Sequence, residues 1–70
     1  MTGGLIVLNG EERPLAAASL VGMLRELGIA AEKRGIAVAL NDAVVPRRDW
    51  EATTLRPGDR VEVVKLFSGG

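Results

Sequence analysis

The apolar positions of this 70-residue chain follow two periods, one typical of strands and one typical of a helix. Leu5–Leu8 is a short apolar run, and Asn9-Gly10 follows it. Asn-Gly is the strongest two-residue signal for a hairpin, because both positions accept the positive φ that a type I′ turn requires. The pattern therefore predicts two strands joined by this turn, the second over residues 11–15. Pro14 has no N–H, which places it at the end of that strand or on a sheet edge.

A helical period follows. Apolar residues recur at i, i+3, i+4 and i+7, as Leu20, Met23, Leu24 and Leu27, which puts them on one helix face. Ser19 is suited to be the N-cap and Gly28 the C′ residue, so both boundaries of the helix are predicted. Gly22 inside the helix costs about 1 kcal/mol relative to alanine. We expect it to lie where the helix packs closely against the sheet.

The second half of the chain predicts three more strands and one irregular connection. The strands are expected at residues 36–40, 43–45 and 60–66, with turns at Asn41-Asp42 and at residues 56–59. Residues 47–54 form the connection, in which Trp50 is the one large apolar anchor.

The resulting order is β, β, α, β, β, β. On so short a chain it implies an α+β fold in which one main helix packs on one face of a mixed sheet, the β-grasp (ubiquitin-like) arrangement. The first and last strands are the most apolar, so we expect them side by side at the centre. The prediction is one domain over residues 1–66 and a flexible tail over residues 67–70, because the last strand leads directly into that tail.

Composition excludes several classes of function. Nine basic and nine acidic residues cancel, and Trp50 and Phe67 are the only aromatic residues, so a nucleic-acid surface is not expected. Without Cys, His or Tyr the chain lacks the usual nucleophiles, general bases and zinc ligands, so no catalytic or metal site is expected within it. No apolar run approaches the roughly 20 residues that span a bilayer. The N-terminus also lacks the basic region of a signal peptide, so a cytoplasmic location is expected.

The last strand becomes apolar on its outer face toward its C-terminal end. Val64 and Leu66 share the face of Glu62, and Phe67 continues the apolar stretch. Two interpretations stay open. Either the connection around Trp50 covers these residues, or they form a docking patch for a partner.

The final Gly69-Gly70 is the strongest candidate for chemistry. Glycine lacks a Cβ, so Gly69 gives clearance in a narrow channel and Gly70 offers a carboxylate with little steric cover. A frayed terminus is the alternative, because the last residues of most domains tolerate change.

The chain resembles the ThiS family, the sulfur carrier proteins of thiamine (thiazole) biosynthesis, from about residue 5 to residue 70. Its most specific stretch is Leu40-Asn41-Asp42-Ala43-Val44-Val45-Pro46-Arg47 with Trp50 close behind. Four further segments match: Leu8-Asn9-Gly10, Glu26-Leu27-Gly28, Gly58-Asp59-Arg60-Val61-Glu62-Val63-Val64 and the Gly-Gly end.

The resemblance implies that Gly70 is adenylated with ATP and converted to a thiocarboxylate, which donates sulfur to thiazole synthesis. The implied partners are an E1-like adenylyltransferase (ThiF-type), a sulfur donor such as a cysteine desulfurase, and thiazole synthase (ThiG-type). ATP and metal would be bound by the activating partner. A free α-carboxylate is ionised at neutral pH and is a poor electrophile, so activation is chemically necessary.

Two other readings stay open. One is a related Gly-Gly carrier with another destination, such as the small subunit of molybdopterin synthase, a tRNA-thiolation carrier or a protein modifier. The other is a β-grasp binding module that carries nothing.

Overall fold

A mixed sheet of five strands forms the framework of the computed structural model, which describes residues 4–15, 17–30 and 34–65. The elements are β1 (Leu5–Leu8), β2 (Glu11–Pro14), α1 (Leu20–Glu26), β3 (Ile36–Leu40), β4 (Ala43–Val44), a 3₁₀ helix (Arg47–Asp49) and β5 (Arg60–Lys65). The strand order is β2-β1-β5-β3-β4. This is the β-grasp arrangement that the element order predicts, with β1 and β5 adjacent at the centre.

The β1–β2 hairpin forms because its turn residues accept positive φ. Asn9 has φ of 51° and Gly10 of 86°, as a type I′ turn requires. Pro14 is the last residue of β2, which is an edge strand, and it pairs with Leu5. The strand therefore ends one residue earlier than predicted, and its proline takes a position where no ladder donor is needed.

Helix α1 begins and ends at the predicted caps. The Ser19 side chain accepts the backbone N–H of Gly22 at 3.0 Å, and Gly28 has φ of 81° just past the C-cap Leu27. Close packing does occur at Gly22, but our expectation of contact with the sheet was wrong. A Cβ there would lie 2.8 Å from Ser19 Oγ and 3.1 Å from the Ala17 Cβ, so the crowding comes from the N-cap turn.

The core lies between α1 and one face of the sheet. Leu20 and Leu24 of the helix are fully buried, as are Val38 and Val61 of the central strands. Burying each such side chain contributes about 1.5–3 kcal/mol. The remaining core residues are Ile6, Leu8, Met23, Ile36, Trp50 and Leu55. The helix stripe predicted from the sequence is thus the face that closes this core.

The connection before β5 is more regular than predicted. It contains the 3₁₀ helix Arg47–Asp49, whose last turn leads into Trp50. Strand β4 ends at Val44, one residue earlier than expected, and β5 is described to Lys65. Leu66, the predicted end of β5, lies outside the described residues.

Candidate carrier and docking site

The described part of the candidate site is the C-terminal half of β5, which precedes the Gly-Gly end. Strand β5 pairs in parallel with β1 and antiparallel with β3, where Ile36 is opposite Lys65. It is therefore the central strand of the sheet. Four of the predicted site residues, Leu66, Phe67, Gly69 and Gly70, lie outside the described residues.

Two asparagine side chains hold β5, one on each side. The Oδ1 of Asn9 accepts the backbone N–H of Val63 at 2.8 Å, and its Nδ2 donates to the Val63 carbonyl at 3.4 Å. On the β3 side, the Oδ1 of Asn41 accepts the backbone N–H of Arg60 at 2.8 Å. Its Nδ2 donates to Asp59 Oδ1 at 3.1 Å. Both asparagines have φ of 51°, so each ends a strand while its side chain continues the pairing.

Val64 lies on the outer face of the sheet and is half exposed, at 50%. Trp50 is buried in the core on the helix side, at 2% exposure, so it does not cover Val64. Of the two interpretations left open, the one in which Trp50 shields this face is therefore wrong for Val64. The exposed position is what a docking patch requires.

The strand register extends this apolar patch across the outer face. Ala37 is opposite Val64, and Ala39, two residues along β3, is opposite Val44. Side chains two residues apart on a strand share a face, so Val44 and Val64 lie on the same side of the sheet. Val44 is 74% exposed. We call Val64, Val44 and the two alanines between them the outer patch.

Sequence analysis did not identify Val44 as part of the docking site. It also did not identify the two asparagine clamps, which are the Asn9 and Asn41 side chains that hydrogen-bond to the β5 backbone. Strand β4 has two residues, which is too short to show alternation. A signal for the clamps was present: β1 ends in Leu8-Asn9 and β3 ends in Leu40-Asn41. The repeated Leu-Asn at two strand ends indicates that both asparagines have the same structural role, which is to hydrogen-bond to the neighbouring strand.

The ion pair near this site is exposed. Arg60 Nη2 lies 2.7 Å from Asp42 Oδ2, with both side chains largely in solvent, so it adds at most about 1 kcal/mol. The described residues contain no group of three or more His, Cys, Asp or Glu side chains that could hold a metal ion. Within those residues, no helix is long and apolar enough to cross a membrane.

Comparison with known proteins identifies a family, a similar sequence and a similar solved structure. Residues 6–70 match the model of the ThiS family. The chain is 42% identical over 66 residues to the sulfur carrier protein ThiS of Thermus thermophilus, covering 94% of this chain and all of that protein. The crystal structure of the thiamine biosynthesis protein ThiS from Geobacter metallireducens superposes with a TM-score of 0.77 at 29% identity. That superposition covers 94% of this chain and 99% of that one.

A larger protein also contains a segment similar to this chain. The chain is 44% identical over 66 residues to the thiazole synthase of Magnetococcus marinus. The match covers 93% of this chain and 20% of that enzyme. The chain therefore corresponds to about a fifth of the enzyme's length.

Proposed function

The chain belongs to the ThiS family, the sulfur carrier proteins of thiamine biosynthesis, and we propose that Gly70 is the residue on which it carries sulfur. The observation that carries the proposal is the family match, which runs through residue 70 and so includes both final glycines. The chain is a carrier and not a catalyst.

The chemistry at Gly70 has two steps. A carboxylate oxygen attacks the α-phosphorus of ATP and releases pyrophosphate, which gives an acyl adenylate. A sulfur nucleophile at the oxidation level of hydrosulfide then displaces AMP and leaves a thiocarboxylate. The first step is needed because the carboxylate anion is a poor electrophile.

The enzymes for both steps are partners. An E1-like adenylyltransferase would bind ATP and its metal. A cysteine desulfurase would supply the sulfur as a persulfide, and a reducing thiol, itself oxidised to a disulfide, would bring this sulfur to the hydrosulfide level. The kinds of partner are those that the family resemblance implies, and the chain's lack of Cys and His agrees with catalysis by partners. A cytoplasmic location, where such enzymes and ATP are available, stays a prediction.

Thiazole synthase is the recipient of the sulfur. A thiazole synthase whose own chain contains a ThiS-like segment supports this assignment, because it joins carrier and recipient covalently. Such a fusion raises the effective concentration of the ThiS-like segment at the thiazole synthase, without any additional contact between the two.

Docking of these partners is assigned to the outer patch together with Leu66 and Phe67. The support is the exposure of Val64 and Val44 on the sheet face beside the last strand. Ala37 and Ala39 join the two valines into one apolar patch, bordered by Glu62 opposite Ala39, and contiguous exposed apolar patches mark interaction sites. Gly69 would supply the clearance that lets the tail enter the partner's active site.

A reconstituted thiazole synthesis assay tests the role of Gly70. A chain without Gly70 should keep the wild-type circular dichroism spectrum and support no thiazole formation. Ser68→Ala is the matched control, because it alters the tail while keeping its length and both glycines. Thiazole formation by the truncated chain would show that Gly70 is not the carrier residue.

A further inference from the structure

We propose that Asn9 is a positioning residue for the carrier tail. Its side chain lengthens the stretch of β5 that is hydrogen-bonded on both sides, to β1 and to β3. The inference rests on the proposed role of Gly70. It concerns how partner enzymes meet that residue and leaves the chemistry unchanged.

The geometry at Asn9 replaces a missing strand residue. In the described residues, the β1–β5 ladder has two register pairs, Val7 with Arg60 and Leu8 with Val61. At Asn9 the chain turns away toward β2, after its backbone N–H has bonded to the Val61 carbonyl at 2.9 Å. The Asn9 side chain then accepts the backbone N–H of Val63 and donates to the Val63 carbonyl. One residue thus does the pairing that two more residues of β1 would otherwise do.

The clamp determines the length of chain that is held on both sides. On the opposite edge, β3 pairs with β5 as far as Lys65. With Asn9 in place, β5 is held from both sides through Val63, seven residues before Gly70. Those seven residues reach at most about 25 Å when fully extended.

Loss of the clamp would move the last doubly held residue back to Val61. Two more residues would then be held from one side. A tail that enters an active site must adopt one conformation, and each loosely held residue adds to the entropy lost on binding. The cost would fall on binding of the carrier and not on the chemical step, so it would raise KM and leave kcat unchanged.

The chain contains a matched control for this effect. Asn41 has the same φ of 51° and holds Arg60 with an equally short bond of 2.8 Å. It acts at the start of β5, ten residues before Gly70. Glycine can replace either asparagine without backbone strain, because it accepts positive φ. Asn9→Gly and Asn41→Gly therefore each remove one clamp of β5, the first at Val63 and the second at Arg60, where the strand begins.

The experiment measures adenylation of the carrier by its activating enzyme, as ATP–pyrophosphate exchange, for the wild type and both variants. Asn9→Gly should raise KM for the carrier about tenfold, because two more residues of β5 must be ordered when the carrier binds, with kcat unchanged. Asn41→Gly should keep KM within about twofold of the wild type while losing a similar amount of stability. Amide hydrogen exchange at Val63 should accelerate in Asn9→Gly and not in Asn41→Gly.

A third variant keeps the test valid if Asn9→Gly fails to fold. Asn9→Asp retains the acceptor for the Val63 N–H and loses the donor, so its KM should fall between those of the wild type and Asn9→Gly. Equal KM values for the Asn9 and Asn41 variants, or a wild-type KM in the Asn9 variants, would overturn the inference and leave the proposed function intact. A wild-type chain that is not adenylated would overturn the proposed function, and this inference with it.

Discussion

The indole Nε1 of Trp50 donates a hydrogen bond to the backbone carbonyl of Val45, with 2.9 Å between the two atoms. The guanidinium of Arg47 lies over the same ring, 4.4 Å from its centroid. These contacts fix the ring on the helix side of the sheet. The connection before β5 therefore helps to close the core and leaves Val64 exposed on the outer face.

Trp50→Phe should destabilise the domain by about 1–3 kcal/mol, because the Val45 carbonyl loses its partner in a partly buried place. Urea unfolding followed by circular dichroism measures the change. Val44→Ala is the control, since this exposed side chain should shift the free energy of unfolding by no more than about 0.5 kcal/mol. An unchanged midpoint for Trp50→Phe would contradict the role given to this bond.

Leu24→Asp should abolish cooperative folding. Leu24 is fully buried, and an unpaired carboxylate there costs several kcal/mol, comparable to the total stability of roughly 4–10 kcal/mol expected for a domain of this size. Glu26→Ala, two residues away on the exposed face, should unfold cooperatively near the wild-type temperature. A sigmoidal thermal transition for Leu24→Asp would mean that this face of α1 does not pack on the sheet.

Ser19 and Gly22 should be energetically coupled. Ser19→Ala removes the N-cap bond and should cost about 1 kcal/mol. Gly22→Ala should gain about 1 kcal/mol in helix propensity, but its new Cβ would crowd the Ser19 Oγ and offset that gain. Ser19→Ala removes this oxygen. Gly22→Ala should therefore stabilise the Ser19→Ala variant more than it stabilises the wild type. A double-mutant cycle measures the coupling, and strict additivity would argue against crowding at the cap.

Val64→Asp should weaken binding to thiazole synthase about tenfold or more, because it places a charge that must be desolvated in the apolar outer patch. Leu5→Asp is a closely matched control. Leu5 is 48% exposed against 50% for Val64, and the outward alternation of β1 places it on the same face. It lies about 20 Å away along the sheet, since the Leu5 carbonyl bonds to Gly58, six residues before Val64.

Binding of both variants is measured by titration calorimetry alongside their melting temperatures. Similar melting temperatures with loss of affinity in Val64→Asp alone would support the outer patch. Equal loss of affinity in both variants would indicate a nonspecific effect of charge, and unaltered affinity in Val64→Asp would remove Val64 from the docking site.

Features set by neighbouring residues were predictable from the sequence. The Asn9-Gly10 turn depends on two adjacent φ angles, and the Leu20–Leu24 stripe depends on helical spacing, so both were found. The element order also predicted that β1 and β5 lie side by side, but individual side-chain contacts between distant segments were not predictable. The Asn9–Val63 bonds span 54 positions, and the exposure of Val64 depends on which face Trp50 occupies. At Gly22 the prediction of close packing was right, but the sheet was the wrong neighbour, because Ser19 and Ala17 crowd this position.

Gly69 offers a test of the steric argument for the tail. Gly69→Ala should slow adenylation while leaving the melting temperature unchanged, because an added Cβ narrows the passage into the activating enzyme. Steady-state exchange kinetics measure the effect, with Ser68→Ala as the control in the same tail. Wild-type kinetics for Gly69→Ala would rule out clearance as the role of this glycine.

The most direct test of the carrier assignment is the intact mass of the chain after incubation with the activating enzyme, ATP and a sulfur donor. We expect a mass increase equal to the replacement of one oxygen by sulfur, confined by fragmentation to Gly70. The increase should be absent when ATP is omitted. An unchanged mass, with an activating enzyme shown to be active on another ThiS protein, would contradict the claim that this chain carries sulfur.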